Sequence, residues 1–167
     1  MADVSTEVAI ATTTLGSAAA SITFSSISSA YTDLRVVITW KVNSANIVRI
    51  RFNSISTTTY SATYLSGNGS LAEGNAQTNL TYIDAGWNAT GDTQPALTTF
   101  DIFSYTGSAN KTVLATQSGD KNGSGTVDRI VGLWRNTSAI NAIELAPVGT
   151  PSITFSAGTT ATIYGIL

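Results

Sequence analysis

In the stretch DKNGSGTVD, Asp120, Asn122, Ser124, Gly125 and Asp128 place oxygen ligands and a central glycine at the spacing of the front half of a calcium loop. A complete loop of that type closes with a bidentate glutamate. Here the closing position is Val131, inside an apolar run. Without that acid the site loses a ligand pair and a charge. The Asn122-Gly123 pair between two strand-like runs is also a strong hairpin signal. The stretch therefore reads first as a hairpin turn, with Asp120, Asn122, Ser124 and Asp128 a metal set only in second place.

Other chemistry is thinly represented. The chain has no cysteine and no histidine, which removes thiol nucleophiles, the usual zinc and copper ligands and the commonest general base. Asp84, Asp92, Asp101, Asp120, Asp128 and Glu144 are available as acids, but no spacing marks a catalytic pair among them. There is no nucleophile elbow and no phosphate-cradling loop. The expectation is a protein that is not an enzyme and carries no cofactor.

Two sets of binding residues remain. Arg35, Lys41, Arg49 and Arg51 hold half of the basic residues and are expected on one face of one hairpin. That face is either a solvated surface or a dock for an acidic protein surface or anionic sugar. Tyr60, Tyr64, Tyr82 and Trp87 stand among Gly, Asn and Thr, where aromatic residues serve either core packing or contact with a glycan or partner.

The elements that must position these residues are strands. Leu34, Val36, Ile38, Trp40 and Val42 alternate with the residues between them, and Val48, Ile50 and Phe52 do the same. The turn residues between the two runs suggest that they pair as a hairpin. Further strands are expected over 4–14, 21–24, 98–105, 111–117, 129–134, 139–145, 152–155 and 161–166. The repeated SITFS at 21–25 and 152–156 reads as two similar strands. Residues 53–96 are too long for a plain loop and are expected to hold one or two irregular strands.

Only 11% of residues are charged, while Ser and Thr supply more than a quarter of the chain. That composition, rich in Ile, Val and Thr, favours strands over helices. The expected fold is an all-β antiparallel sandwich of jelly-roll type with about eight to ten strands, formed by residues 21–167 behind an N-terminal arm or strand over 1–20. A net charge of −2 supplies no phosphate-neutralising stripe, so nucleic acid is not an expected partner. No apolar run is long enough to span a membrane, and Asp3 and Glu7 stand where an export signal would carry cations. The N-x-S/T triplets at Asn68, Asn79, Asn88, Asn110, Asn122 and Asn136 follow from composition.

SITFSSISSAYTDLRVVITW, YLSGNGS, SGDKNGSGTVDRIVGLWRNTSAINAIELAP and the terminal ATIYGIL together resemble a β-sandwich module of tailed-bacteriophage virion proteins. The resemblance spans most of the chain from about Ser21, and is most specific at Gly132 to Ile140 and Ile163 to Ile166. It implies a virion structural protein at the particle surface, made in the host cytoplasm. A fibre would add a shaft or attachment domain that is not seen here. The resemblance thus points to a capsid decoration protein, partnered by the major capsid protein and by copies of itself, as a homotrimer. The alternative is a tail-fibre or receptor-binding tip that touches host polysaccharide.

Overall fold

In a computed structural model the protein is an antiparallel β-sandwich of jelly-roll type; the structure describes residues 6–86, 91, 94–150 and 152–167. Its strands, in chain order, are β1 (Glu7–Thr14), β2 (Ile22–Phe24), β3 (Asp33–Trp40), β4 (Val48–Phe52), β5 (Tyr60–Gly67), β6 (Ala72–Leu80), β7 (Ile83–Asp84), β8 (Ala96–Ile102), β9 (Lys111–Gly119), β10 (Thr126–Trp134), β11 (Ile143–Pro147) and β12 (Thr160–Ile166). Eight form one sheet in the order β1-β12-β3-β8-β9-β10-β5-β6. The other four form a second sheet in the order β2-β11-β4-β7. Twelve strands among the described residues exceed the eight to ten expected, chiefly because residues 53–96 hold three, of which β5 pairs with β10 along its whole length.

The β3–β4 hairpin does not form. β3 lies between β12 and β8 in the large sheet, and β4 lies between β11 and β7 in the small one. The physical reason is in the side chains: Leu34, Val36, Ile38 and Trp40 on one strand and Val48, Ile50 and Phe52 on the other are all buried. Facing each other across the sandwich, the two apolar rows fill one interior. The chain therefore crosses from sheet to sheet between residues 40 and 48.

The two copies of SITFS also part company. Ile22–Phe24 is a strand, whereas Phe155 makes only isolated bridges to Ala19 and Val42. Asn43 holds the second copy in loop form, donating from Nδ2 to the Ser152 carbonyl at 2.9 Å and accepting from the Thr154 N–H at 3.1 Å. At the N-terminus, β1 pairs with β12 of its own chain and forms one edge of the large sheet.

The residues of the two most specific motifs serve the core. Trp134 stacks on Tyr60, with centroids 6.1 Å apart, and lies 5.3 Å from Phe52. Gly132 leaves room for Ile83, since a Cβ there would come within 2.7 Å of the Ile83 Cδ1. Gly165 does the same for the Tyr31 ring. A close-packed interior has no slack for such a methyl group.

Candidate docking surfaces

Along β8, β9, β10 and β5 the residues alternate strictly between interior and exterior. The antiparallel registers then align the exterior side chains in rows. Leu97, Ser118, Val127 and Gly67 form one row. Thr99, Thr116, Arg129, Leu65 and Gly74 form the next. Asp101, Leu114, Val131, Thr63 and Ala76 form the third.

This outer face holds four of the seven exposed large hydrophobic side chains among the described residues: Leu65, Leu97, Val127 and Val131. Arg129 stands between them, with no ion pair among the described residues, whereas Asp101 is held by Arg35 at 2.6 Å. An exposed apolar patch with a guanidinium in it marks a candidate protein-binding surface, since contiguous apolar patches are uncommon on isolated proteins and Arg is enriched at interfaces. Beside the patch lies a trough of about 450 Å³, lined by Pro95, Leu97 and Val127, by Gly67 at the end of β5 and by Gly123 and Gly125 of the β9–β10 turn.

The four basic residues expected on one hairpin face are not brought together. Arg35 projects from the outer face of the large sheet and pairs with Asp101 and, at 3.6 Å, with Glu7. The hydrogen bond to Asp101 raises its pKa. Arg49 and Arg51 project from the outer face of the small sheet, on the opposite side of the sandwich. Lys41 is exposed beyond the end of β3. Assigning β3 and β4 to different sheets is what separates them.

On the small sheet Arg49 and Arg51 share one carboxylate oxygen, Glu144 Oε1, at 3.2 and 3.4 Å. Both guanidinium carbons lie over the Tyr82 ring, 5.4 and 5.9 Å from its centroid. Burial, and then the neighbouring Arg51, lowers the pKa of Arg49. One acid between two cations leaves this face with a local positive excess.

Tyr60 and Tyr64 are interior residues, so of the two roles open to them it is core packing that they fill, and neither is placed to contact a glycan. Tyr60 accepts from the Phe52 N–H and donates to the Ile55 carbonyl, both at 3.1 Å, and burial pushes its phenol up to about 12. Tyr64 donates to Asp84. Burial raises the Asp84 carboxyl, and Asp128 nearby adds to the rise. Tyr82 is half-buried beneath the two arginines, and Trp87 lies outside the described residues.

Asp120 to Asp128 spans the β9–β10 hairpin. Asp120 accepts from the Gly123 N–H at 2.8 Å, and Asn122 and Gly123 take φ of 60° and 85°. This is the turn geometry that Asn-Gly favours. Asn122 and Ser124 sit in the turn, but Asp128 belongs to β10 and is buried opposite Gln117, so the four oxygen residues do not converge. Among the described residues no group of three or more acids gathers where a metal could be held.

Sequence reasoning did not single out Leu65, Leu97, Val127 or Arg129, and it named Val131 only as the residue in place of a closing calcium-loop acid. The alternation of Val127, Arg129 and Val131 was the available signal, and it is ambiguous because both phases of that strand contain apolar residues.

No protein-family model and no curated protein matches the chain. Among solved structures it is similar to Caenorhabditis elegans galectin LEC-6, at 12% identity over 93% of this chain and 95% of that one, with a TM-score of 0.35. It is also similar to peanut lectin with a 9mer peptide, at 8% identity over 87% of this chain and 78% of that one, with a TM-score of 0.32. At these levels of similarity neither assigns a site residue to this chain.

Proposed function

We propose that the chain is a structural protein of a tailed-bacteriophage particle, a decoration protein that docks on the outside of the head shell and acts by binding rather than catalysis. The observation that carries this reading is the outer face of the large sheet, where Leu65, Val127 and Val131 flank Arg129 and Leu97 lies in the same row as Val127. A surface of that kind is costly to leave in water and suits a protein partner, here the major capsid protein. The resemblance of Gly132 to Ile140 and Ile163 to Ile166 to the virion module supplies the choice of particle. The rival, a receptor-binding tip, drew on four aromatic residues, and two of them are interior.

The test is co-sedimentation of purified protein with undecorated head shells and, separately, with host cells. Wild-type protein binds shells at hundreds of copies per particle on this reading. Arg129→Glu together with Val127→Asp reverses the charge and interrupts the apolar row, and weakens binding by about thirtyfold or more while leaving the fold unchanged. Adsorption to cells but not to shells, or shell binding indifferent to these substitutions, overturns the proposal.

A further inference from the structure

Among the described residues the two sheets have four edges, and three are guarded against pairing with another chain. β2 and β7 are only three and two residues long, and β1 carries a register shift between Ala9 and Ala11. Short strands and bulges are the usual means of blunting an edge. The fourth edge, β6, is nine residues long, contains neither Lys nor Pro, and carries a single charge at Glu73. Its own irregularity lies at the far end, opposite the Tyr60/Ala62 shift, so the stretch from Ala72 to Gln77 is regular.

The pattern of hydrogen bonds shows which groups this edge offers. Bonded and non-bonded pairs alternate along an antiparallel ladder. Asn68 N–H donates to the Leu71 carbonyl at 3.1 Å and closes the β5–β6 turn. Counting from that pair, the main-chain groups of Glu73 and Asn75 point to β5, and those of Ala72, Gly74 and Ala76 point away from it. In agreement, the Ala76 N–H is taken by its neighbour's Asn75 Oδ1 at 2.8 Å.

We infer that β6 is a self-association edge: it pairs antiparallel with β6 of a second copy about a two-fold axis at Gly74, joining two large sheets into one. In that register Ala72 faces Ala76 of the second copy, and Gly74 faces Gly74. Each of these pairs exchanges two main-chain hydrogen bonds once Asn75 Oδ1 gives up the Ala76 N–H to the second copy. On the other face Glu73 stands opposite Asn75, a carboxylate against an amide donor, and no like charges meet. A two-fold interface must be complementary to itself, and this register satisfies that condition with small side chains and matched polar groups. The association is two-fold rather than the three-fold one implied by the resemblance. It also sets two Arg129 patches on one continuous face, about 24 Å apart across five strand spacings. Paired docking sites would strengthen attachment to a repetitive surface.

The inference does not depend on what the outer face binds, and its test uses the isolated chain. Sedimentation equilibrium is expected to give a dimer. Asn75→Asp puts two acids opposite one another twice and is expected to raise the dimer dissociation constant at least about tenfold. Adding Glu73→Lys to that variant restores opposite charges and restores the dimer. Gly74→Cys, in a chain with no other cysteine, forms a disulfide-linked dimer under mild oxidation, whereas Ser70→Cys in the turn does not. Circular dichroism of each variant confirms that the sandwich is intact. A monomer, a trimer, or a dimer unaffected by the charge changes with no preferential cross-link at position 74 overturns the inference.

Discussion

Asn53 ties the end of β4 to the start of β11, and its removal gives a quantitative test of how the small sheet is held. Its Nδ2 donates to the Ala139 carbonyl at 2.8 Å, and its Oδ1 accepts from the Asn141 and Ala142 N–H groups at 3.0 and 3.2 Å. Its backbone has a φ of 51°, a left-handed conformation that Asn tolerates better than Ala. Three hydrogen bonds at roughly 0.5–1 kcal/mol each, the lower range suiting their solvent access, total about 2 kcal/mol. The unfavourable φ adds about 1 kcal/mol in Asn53→Ala. The expected loss is therefore about 3 kcal/mol, or a fall in Tm of roughly 6–12 °C at this chain length. Urea unfolding followed by tryptophan fluorescence measures it, because Trp40 and Trp134 are fully buried. Asn53→Gly keeps the backbone conformation and loses only the bonds, so its cost should be about 2 kcal/mol. An alanine variant within about 0.5 kcal/mol of wild type, or a glycine variant less stable than the alanine one, would falsify this account. The effect reaches the surface as well, since the same clamp sets the register that places Glu144 beside Arg51.

Gly132→Ala forces a methyl group into Ile83 and is expected to cost about 1–3 kcal/mol. Combined with Ile83→Val it should cost less than the sum of the two single changes, and strict additivity in thermal unfolding would count against the contact. At Asp84 the folded-state pKa is raised, chiefly by burial, so the carboxyl favours folding most below its unfolded pKa and loses that contribution as pH rises through the folded value. Asp84→Asn should therefore gain stability relative to wild type between acid pH and neutrality. A variant that instead loses ground over that range would refute the burial argument.

Several strands were legible because alternation is a property of the chain itself. The predicted Val48 to Phe52 strand coincides with β4, and the β9–β10 turn was legible because Asn-Gly relieves a local backbone constraint. Pairing was less accessible, because a row of alternating apolar residues buries equally well against the next strand or across the interior. That is why the β3–β4 hairpin failed, and with it the common face for Arg35, Arg49 and Arg51. The docking face was hidden for a related reason. In β10 either phase could have been the interior, and the packed phase contains Asp128, Ile130, Gly132 and Trp134 while Val127 and Val131 face outward.

Composition and local periodicity thus determined an all-β chain with antiparallel character, turns at the Asn and Gly pairs, and no histidine or cysteine chemistry. Tertiary structure alone decided which strands share a sheet, which face of each is dry, and that β6 is left as a long unguarded edge. Local rules act within a few residues, whereas burial and exposure depend on which distant segment lies opposite. For β10 that segment is β7, whose Ile83 fills the space above Gly132 and turns Val127, Arg129 and Val131 toward solvent.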